Sequence, residues 1–107
     1  MPQINIEYDN TKVKDEEIIK LSEAIQKIVS TLTEIKDVFV YGNSAHIKLN
    51  IAPIEIYIRM SASKISDPDK LFTGIKIHIS NWKKEKDFPH PINLTLIPMH
   101  WKFETGI

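Results

Sequence analysis

One pattern occurs twice along this chain, and it leaves few folds open. Residues 3–8, QINIEY, place Ile4, Ile6 and Tyr8 alternately with Gln3, Asn5 and Glu7, and residues 54–60, IEIYIRM, place Ile54, Ile56, Ile58 and Met60 alternately with Glu55, Tyr57 and Arg59. Such period-two alternation is the signature of a strand with one buried face. Each stretch is followed by a polar turn with a helix-start signal, then by a helical stripe, then by a further apolar strand. Superposing Ile4 on Ile56 also brings Ile6 onto Ile58, Lys12 onto Lys64, Asp15 onto Asp67 and Ile25 onto Ile77. The expectation is two βαβ units, about 1–50 and about 53–107, within a single domain spanning 1–107. With crossovers of one hand they give an α+β, two-layer sandwich: a four-stranded mixed sheet with both helices on one face.

The first helix is the clearest element. Ile18, Leu21, Ile25, Ile28 and Leu32 recur at spacings of 3, 4, 3 and 4, with Glu23, Gln26, Lys27 and Ser30 off the stripe. Asp15 is placed to cap it, and Glu16 and Glu17 fall in the first turn, where carboxylates oppose the positive end of the helix dipole. Residues 38–41, VFVY, are apolar on both faces, as in a strand covered on two sides. Gly42-Asn43-Ser44 suggests a bend or bulge, after which Ala45, Ile47, Leu49 and Ile51 alternate with His46, Lys48 and Asn50, so the strand is expected to resume. Ser66-Asp67-Pro68 starts a second helix. A conflict arises inside it, because Ile75, Ile77 and Ile79 alternate as in a strand and Gly74 weakens a helix by about 1 kcal/mol. The cap and the length from 68 to 84 decide for helix. Ile92, Leu94 and Leu96 then form the last strand, up to Pro98.

Composition removes several classes of function. Fourteen basic residues balance fourteen acidic ones, so no overall field favours nucleic acid or an anionic membrane. The absence of cysteine excludes disulfides, thiol catalysis and thiolate metal sites. His46, His78, His90 and His100 have no ligand spacing, so no metal is expected. Without a leader-like segment or a long apolar run, a cytoplasmic protein is expected. The two-sided apolar strands point to a partner subunit over the open sheet face.

Proline at position 2, opening the first strand, has a bland explanation, since proline is tolerated at a strand's first residue. It has a sharper one if Met1 is removed, because Pro2 then becomes a free secondary amine held by the sheet. Met1-Pro2 opening a strand, RMSASKI at 59–65 closing the third, LFTGIKIH at 71–78 on the second helix and HWKF at 100–103 in the tail together resemble the tautomerase superfamily. Within it the chain is most similar to the 5-carboxymethyl-2-hydroxymuconate isomerase branch. The resemblance implies a homotrimer with sites at subunit boundaries and no cofactor. It also implies an amino-terminal proline, here Pro2, that moves a proton between the enol and keto forms of a small unsaturated oxo acid. Lys36, at the junction of the first helix and second strand, falls where related tautomerases place a substrate-contacting lysine, and Tyr41 and Lys64 are further candidates.

The chain also departs from that branch, which grips substrate carboxylates with arginines near the second strand and before the second helix. Here those places hold Phe39 to Tyr41 and Ser66 to Pro68, and the only arginine is Arg59. The departure favours an alternative: a catalytically inactive oligomer of the same fold with a binding or structural role. An unrelated ferredoxin-like domain would share the element order and differ in the order of strands within the sheet.

Overall fold

The computed structural model describes residues 2–107, and the expected removal of Met1 lies outside the described residues. The elements run β1 (Gln3–Tyr8), α1 (Asp15–Thr33), β2 (Phe39–Asn43), β3 (Ile54–Ser61), a 3-10 turn at Ala62–Lys64, α2 (Pro68–Lys86) and β4 (Asn93–Met99). The strands form one sheet in the order β2-β1-β3-β4. β1 pairs with β2 and β3 with β4 in parallel, and the two pairs join antiparallel through β1 and β3. Each parallel pair is thus one βαβ unit whose strands are immediate neighbours, unlike the split units of a ferredoxin-like sheet.

The alternation seen in the sequence decides what faces the helices. Ile4 and Ile6 of β1 and Ile54, Ile56, Ile58 and Met60 of β3 are completely buried. The five isoleucines pack with Ile18, Leu21, Ile25 and Val29 of α1 and with Ile75 and Ile79 of α2 in one core. Ile77 projects outward while Ile75 and Ile79 project inward, so the helical period wins over the strand-like alternation of that segment. Asp67 caps α2 by accepting from the Lys70 N–H at 3.1 Å, and Pro68 occupies the first turn. Lys83, Lys84 and Lys86 lie in the last turn, at the negative end of the dipole.

Three local expectations are corrected. The cap of α1 is Lys14, not Asp15: the Lys14 N–H donates to Glu17 Oε1 at 3.0 Å, and Asp15 instead accepts from the Tyr8 hydroxyl at 2.7 Å. Gly42 makes no bulge. It lies in register opposite Ile6, and a Cβ there would come within 3.1 Å of Ile18 Cγ2, so the missing side chain lets α1 sit close over β2. The strand does not resume at residue 45, because pairing with β1 ends at Glu7 opposite Asn43 and β1 itself stops at Tyr8. Residues beyond 43 overrun the sheet, Asn50 turns left-handed at φ 55°, and Ile47 and Leu49 are 86% and 90% exposed. β2 is consequently an edge strand covered on one side only, with Phe39 and Tyr41 exposed.

The far end of the sheet, away from Pro2, is held by two carboxylates. Asp9 accepts from the Thr11 hydroxyl at 2.6 Å and the Thr11 N–H at 3.0 Å, which holds its pKa below the usual aspartate value. Glu17 is likewise lowered, chiefly by the Lys14 N–H and further by His90, whose Nε2 lies 2.9 Å from Oε2. Phe88 meets His90 edge-on at 5.3 Å and Trp82 at a tilt at 5.1 Å, so with the His90–Glu17 contact the α2–β4 connection is tied to the start of α1.

Two predictions follow from these contacts. Gly42→Val, which strand propensity alone would favour, is expected to lower the unfolding free energy by about 1–3 kcal/mol through overpacking against Ile18, read from urea midpoints. Because the folded pKa values of Asp9 and Glu17 are depressed, their contribution is complete above the unfolded carboxylate range, about 4. It is lost as pH falls through the lower folded values. Stability is therefore expected to decline below about pH 5, and Glu17→Gln should make that decline shallower.

Candidate functional site

Three of the four residues singled out in the sequence come to one end of the sheet. Pro2 precedes β1, Lys36 precedes β2, which runs parallel to β1, and Lys64 follows β3, which runs antiparallel to it. Chain direction alone therefore gathers Pro2, Lys36 and Lys64. The Pro2 ring is fully buried, with the same parity as Ile4 and Ile6, and thus lies on the helix side of the sheet. Its carbonyl accepts from the Phe39 N–H at 3.2 Å. That bond sets Pro2 beside the segment leading into β2.

That segment has its own fixings. The Val38 N–H donates to the Lys36 carbonyl at 3.0 Å, and Gln26 Nε2 of α1 donates to the Val38 carbonyl at 3.0 Å. Val38 is buried, whereas Lys36 is exposed, so the backbone is held while the ammonium stays in water. α1 ends just before, at Glu34, in a left-handed cap with φ 59°. Gln26 is a residue the sequence did not mark. It lies off the apolar stripe and carries no pattern, and only the approach of α1 to β2 gives it a role.

Lys64 ends the 3-10 turn, also exposed, and lines an open groove of about 830 Å³ between the end of α1 and the start of α2. Leu32, Thr33, Ser66, Lys70 and Ile77 share that groove, and Pro2 does not line it. Tyr41 is placed differently. It pairs in register with Asn5, on the face turned away from the helices, and is 50% exposed. Within one chain it therefore lies across the sheet from the Pro2 ring. Arg59 lies on that same open face, where Nη1 donates to Asn5 Oδ1 at 2.9 Å.

The buried Pro2 ring, the pinned turn before β2 and the exposed Lys36 and Lys64 thus share one end of the sheet. If the nitrogen is a free amine, burial disfavours its charged form and lowers its pKa. Lysines are compact point charges and set no bidentate geometry.

No protein-family model matches the chain, and no curated protein matches it. Solved structures do. A 5-carboxymethyl-2-hydroxymuconate delta-isomerase aligns with a TM-score of 0.68 at 12% identity, covering 99% of this chain and 89% of that one. A domain of unknown function from Sebaldella termitidis aligns at 0.69 with 11% identity, covering 100% of this chain and 98% of that one. A fused 4-OT asymmetric trimer aligns at 0.64 with 11% identity, covering 91% and 85%. The class defined here is a two-layer protein of paired βαβ units with parallel partners. More particularly, the chain has the tautomerase-superfamily fold.

Gln26→Ala is expected to release the turn before β2. Loss of one hydrogen bond to a partly buried carbonyl should lower stability by about 1 kcal/mol. Hydrogen exchange at the Val38 and Phe39 amides should accelerate more than exchange in β3.

Proposed function

We propose that this protein is a cofactor-free tautomerase or isomerase that interconverts enol and keto forms of a small unsaturated oxo acid, with Pro2 as general base and acid. The observation that carries the proposal is Pro2 itself. It is the residue before a central strand of a tautomerase fold, its ring is buried, and its carbonyl is pinned to the start of β2. Removal of Met1 is part of the proposal, because an amide nitrogen has no useful basicity. An α-amine titrates near 7.7–8.0 in model peptides, and burial moves it toward neutrality.

On this reading the free amine takes the proton from the enol hydroxyl, leaving a delocalised enolate. The resulting secondary ammonium returns that proton to carbon, giving the keto form and restoring the amine. No redox partner is needed. Lys36 and Lys64 hold the substrate carboxylate and the developing negative charge. Tyr41, across the sheet from the Pro2 ring in its own chain, joins a site only from a neighbouring copy. Self-association as a homotrimer, with sites at the boundaries, is accordingly part of the proposal, and the fused 4-OT neighbour is a trimer. A cytoplasmic location and the absence of a nucleic-acid or membrane partner complete it. Among the described residues no helix is long and apolar enough to cross a membrane.

A second reading rests on a specific observation. With Phe39 to Tyr41 and Ser66 to Pro68 where the isomerase branch is expected to carry arginines, the chain suits an inactive oligomer of this fold that binds or scaffolds.

Turnover of a phenylpyruvate-like enol separates the two. With Met1 shown by intact mass to be absent from both proteins, Pro2→Ala should lower enol-to-keto turnover at least about tenfold, a floor below the roughly 10²–10⁴-fold of a positioned base because the variant keeps a free α-amine. Equal rates, or a natural protein that retains Met1, would leave the binding role standing instead.

A further inference from the structure

The cross-strand row that holds Pro2 differs from the rows beside it. Across the β1–β3 seam Ile6 faces Ile56 and Ile4 faces Ile58. One step further toward the start of β1, the same register sets Pro2 opposite Met60, and the parallel register with β2 sets it beside Val38. All three side chains have the helix-facing parity, and all three are buried. Residues directly opposite on one face of an antiparallel pair have Cβ atoms about 4.5–5.5 Å apart, so Met60 stands against the Pro2 ring.

β3 carries isoleucine at each helix-facing position until the one where its partner becomes proline, and there it turns to methionine. A proline ring is compact and rigid, and an unbranched thioether follows an irregular surface that a stiff, β-branched isoleucine does not. Met60 is completely buried yet lies outside the contiguous core that Ile54, Ile56 and Ile58 share with the helices. Its packing thus belongs to the Pro2 end of the sheet. Pro98 of β4 pairs with Met60 and continues the row, which from Val38 to Pro98 has no ionisable side chain.

The charged and titratable groups of this end stand outside that row. Glu34 follows α1, Lys36 and Asp37 precede β2, and Lys64 follows β3, all exposed. Asp67, Asp69 and Lys70 at the start of α2 are exposed as well, as are His100, Lys102 and Glu104 after β4. Arg59 is turned to the opposite face and tied to Asn5.

We propose that Met60 is a positioning residue for Pro2, forming with Val38 an apolar seat that fixes the ring and keeps polar partners from its buried side, so that the free amine stays uncharged and basic near neutrality. The inference rests on the proposed role of Pro2 and names the side chains that sustain it. An apolar neighbour does not solvate an ammonium, which favours the neutral amine. A side-chain oxygen in place of the Met60 thioether would accept from the ammonium N–H and favour the charged form instead.

Protein freed of Met1 and isotope-labelled at the Pro2 nitrogen tests this by NMR titration, with circular dichroism as the check on folding. The Pro2 amine should titrate at least about one unit below the same group in the free peptide PQINIE, well inside the roughly 3–5 units that full burial can produce. Met60→Gln should bring it back up by at least about one unit, and the acid limb of kcat/KM for a phenylpyruvate-like enol should move up with it. Met60→Leu, apolar and similar in volume, should titrate as the wild type does. A substitution that only loosened the fold would move neither the titration nor the limb. A wild-type amine that titrates like the peptide, or a folded Met60→Gln protein that titrates like the wild type, overturns the seat. Where turnover nonetheless depends on Pro2, the proposed function stands without it. A depressed titration that responds to Met60→Gln in a protein without turnover supports the seat and overturns the tautomerase reading. Should Met60→Gln fail to fold, Val38→Thr decides by adding a hydroxyl to the same row, and a titration unchanged by it overturns the seat.

Discussion

The antiparallel seam between β1 and β3 is the constraint on which everything else hangs. Ile4 faces Ile58 and Ile6 faces Ile56 across it, and all four are fully buried. Among the described residues it is the only strand pairing that joins the two βαβ units, so it sets which ends of the strands come together. Antiparallel joining places the beginning of β1 beside the end of β3. Parallel pairing within the first unit places it beside the beginning of β2. Pro2, Lys36 and Lys64 owe their common location to those two directions. A slip of one residue along the seam would turn Ile4 and Ile6 outward and put Asn5 and Glu7 into the core. That cost keeps the register, and with it the position of Pro2.

The same seam explains why so much of the fold was legible in the sequence. Alternation in QINIEY and IEIYIRM states which residues are buried, and the helical stripes state which faces cover them. Ile75 and Ile79 obeyed the helical period against a competing strand pattern because the Asp67-Pro68 start was already helical. The segment from Ala45 to Ile51 shows the limit. Its alternation is as regular as that of β1, yet strand formation needs a neighbour, and β1 ends before that neighbour is supplied. Periodicity reports what a segment would do beside a sheet, not whether a sheet is there. Gly42 shows the same limit on a smaller scale. As a turn residue it suggested a bulge, while the contact it actually accommodates, Ile18 of α1, belongs to an element 24 residues earlier in the chain.

The candidate site was legible in a different measure. Pro2 stood out by position, whereas Lys36 was marked by the family resemblance and Lys64 as a further candidate beside it. Tyr41 was grouped with them, but strand parity turns it to the other face, a consequence that depends on the exact start of β2. Gln26 had no sequence signal at all, because its hydrogen bond to Val38 is made by the docking of a helix against a strand edge.

The cations at this end of the sheet bear on what a working site could hold. Arginine forks fix a planar carboxylate in two bonds and thereby fix its orientation. Here the single arginine is on the opposite face, tied to Asn5, and the end bearing Pro2 has lysines on exposed, flexible stems. A lysine neutralises charge without dictating its direction. On the proposed reading, orientation must then come from the buried Pro2 ring and the pinned Lys36–Val38 turn. Such a site holds one carboxylate near the amine more readily than it aligns two. On that reading, a compact monocarboxylate whose enol lies next to its acid group is the substrate shape these constraints favour over an extended diacid.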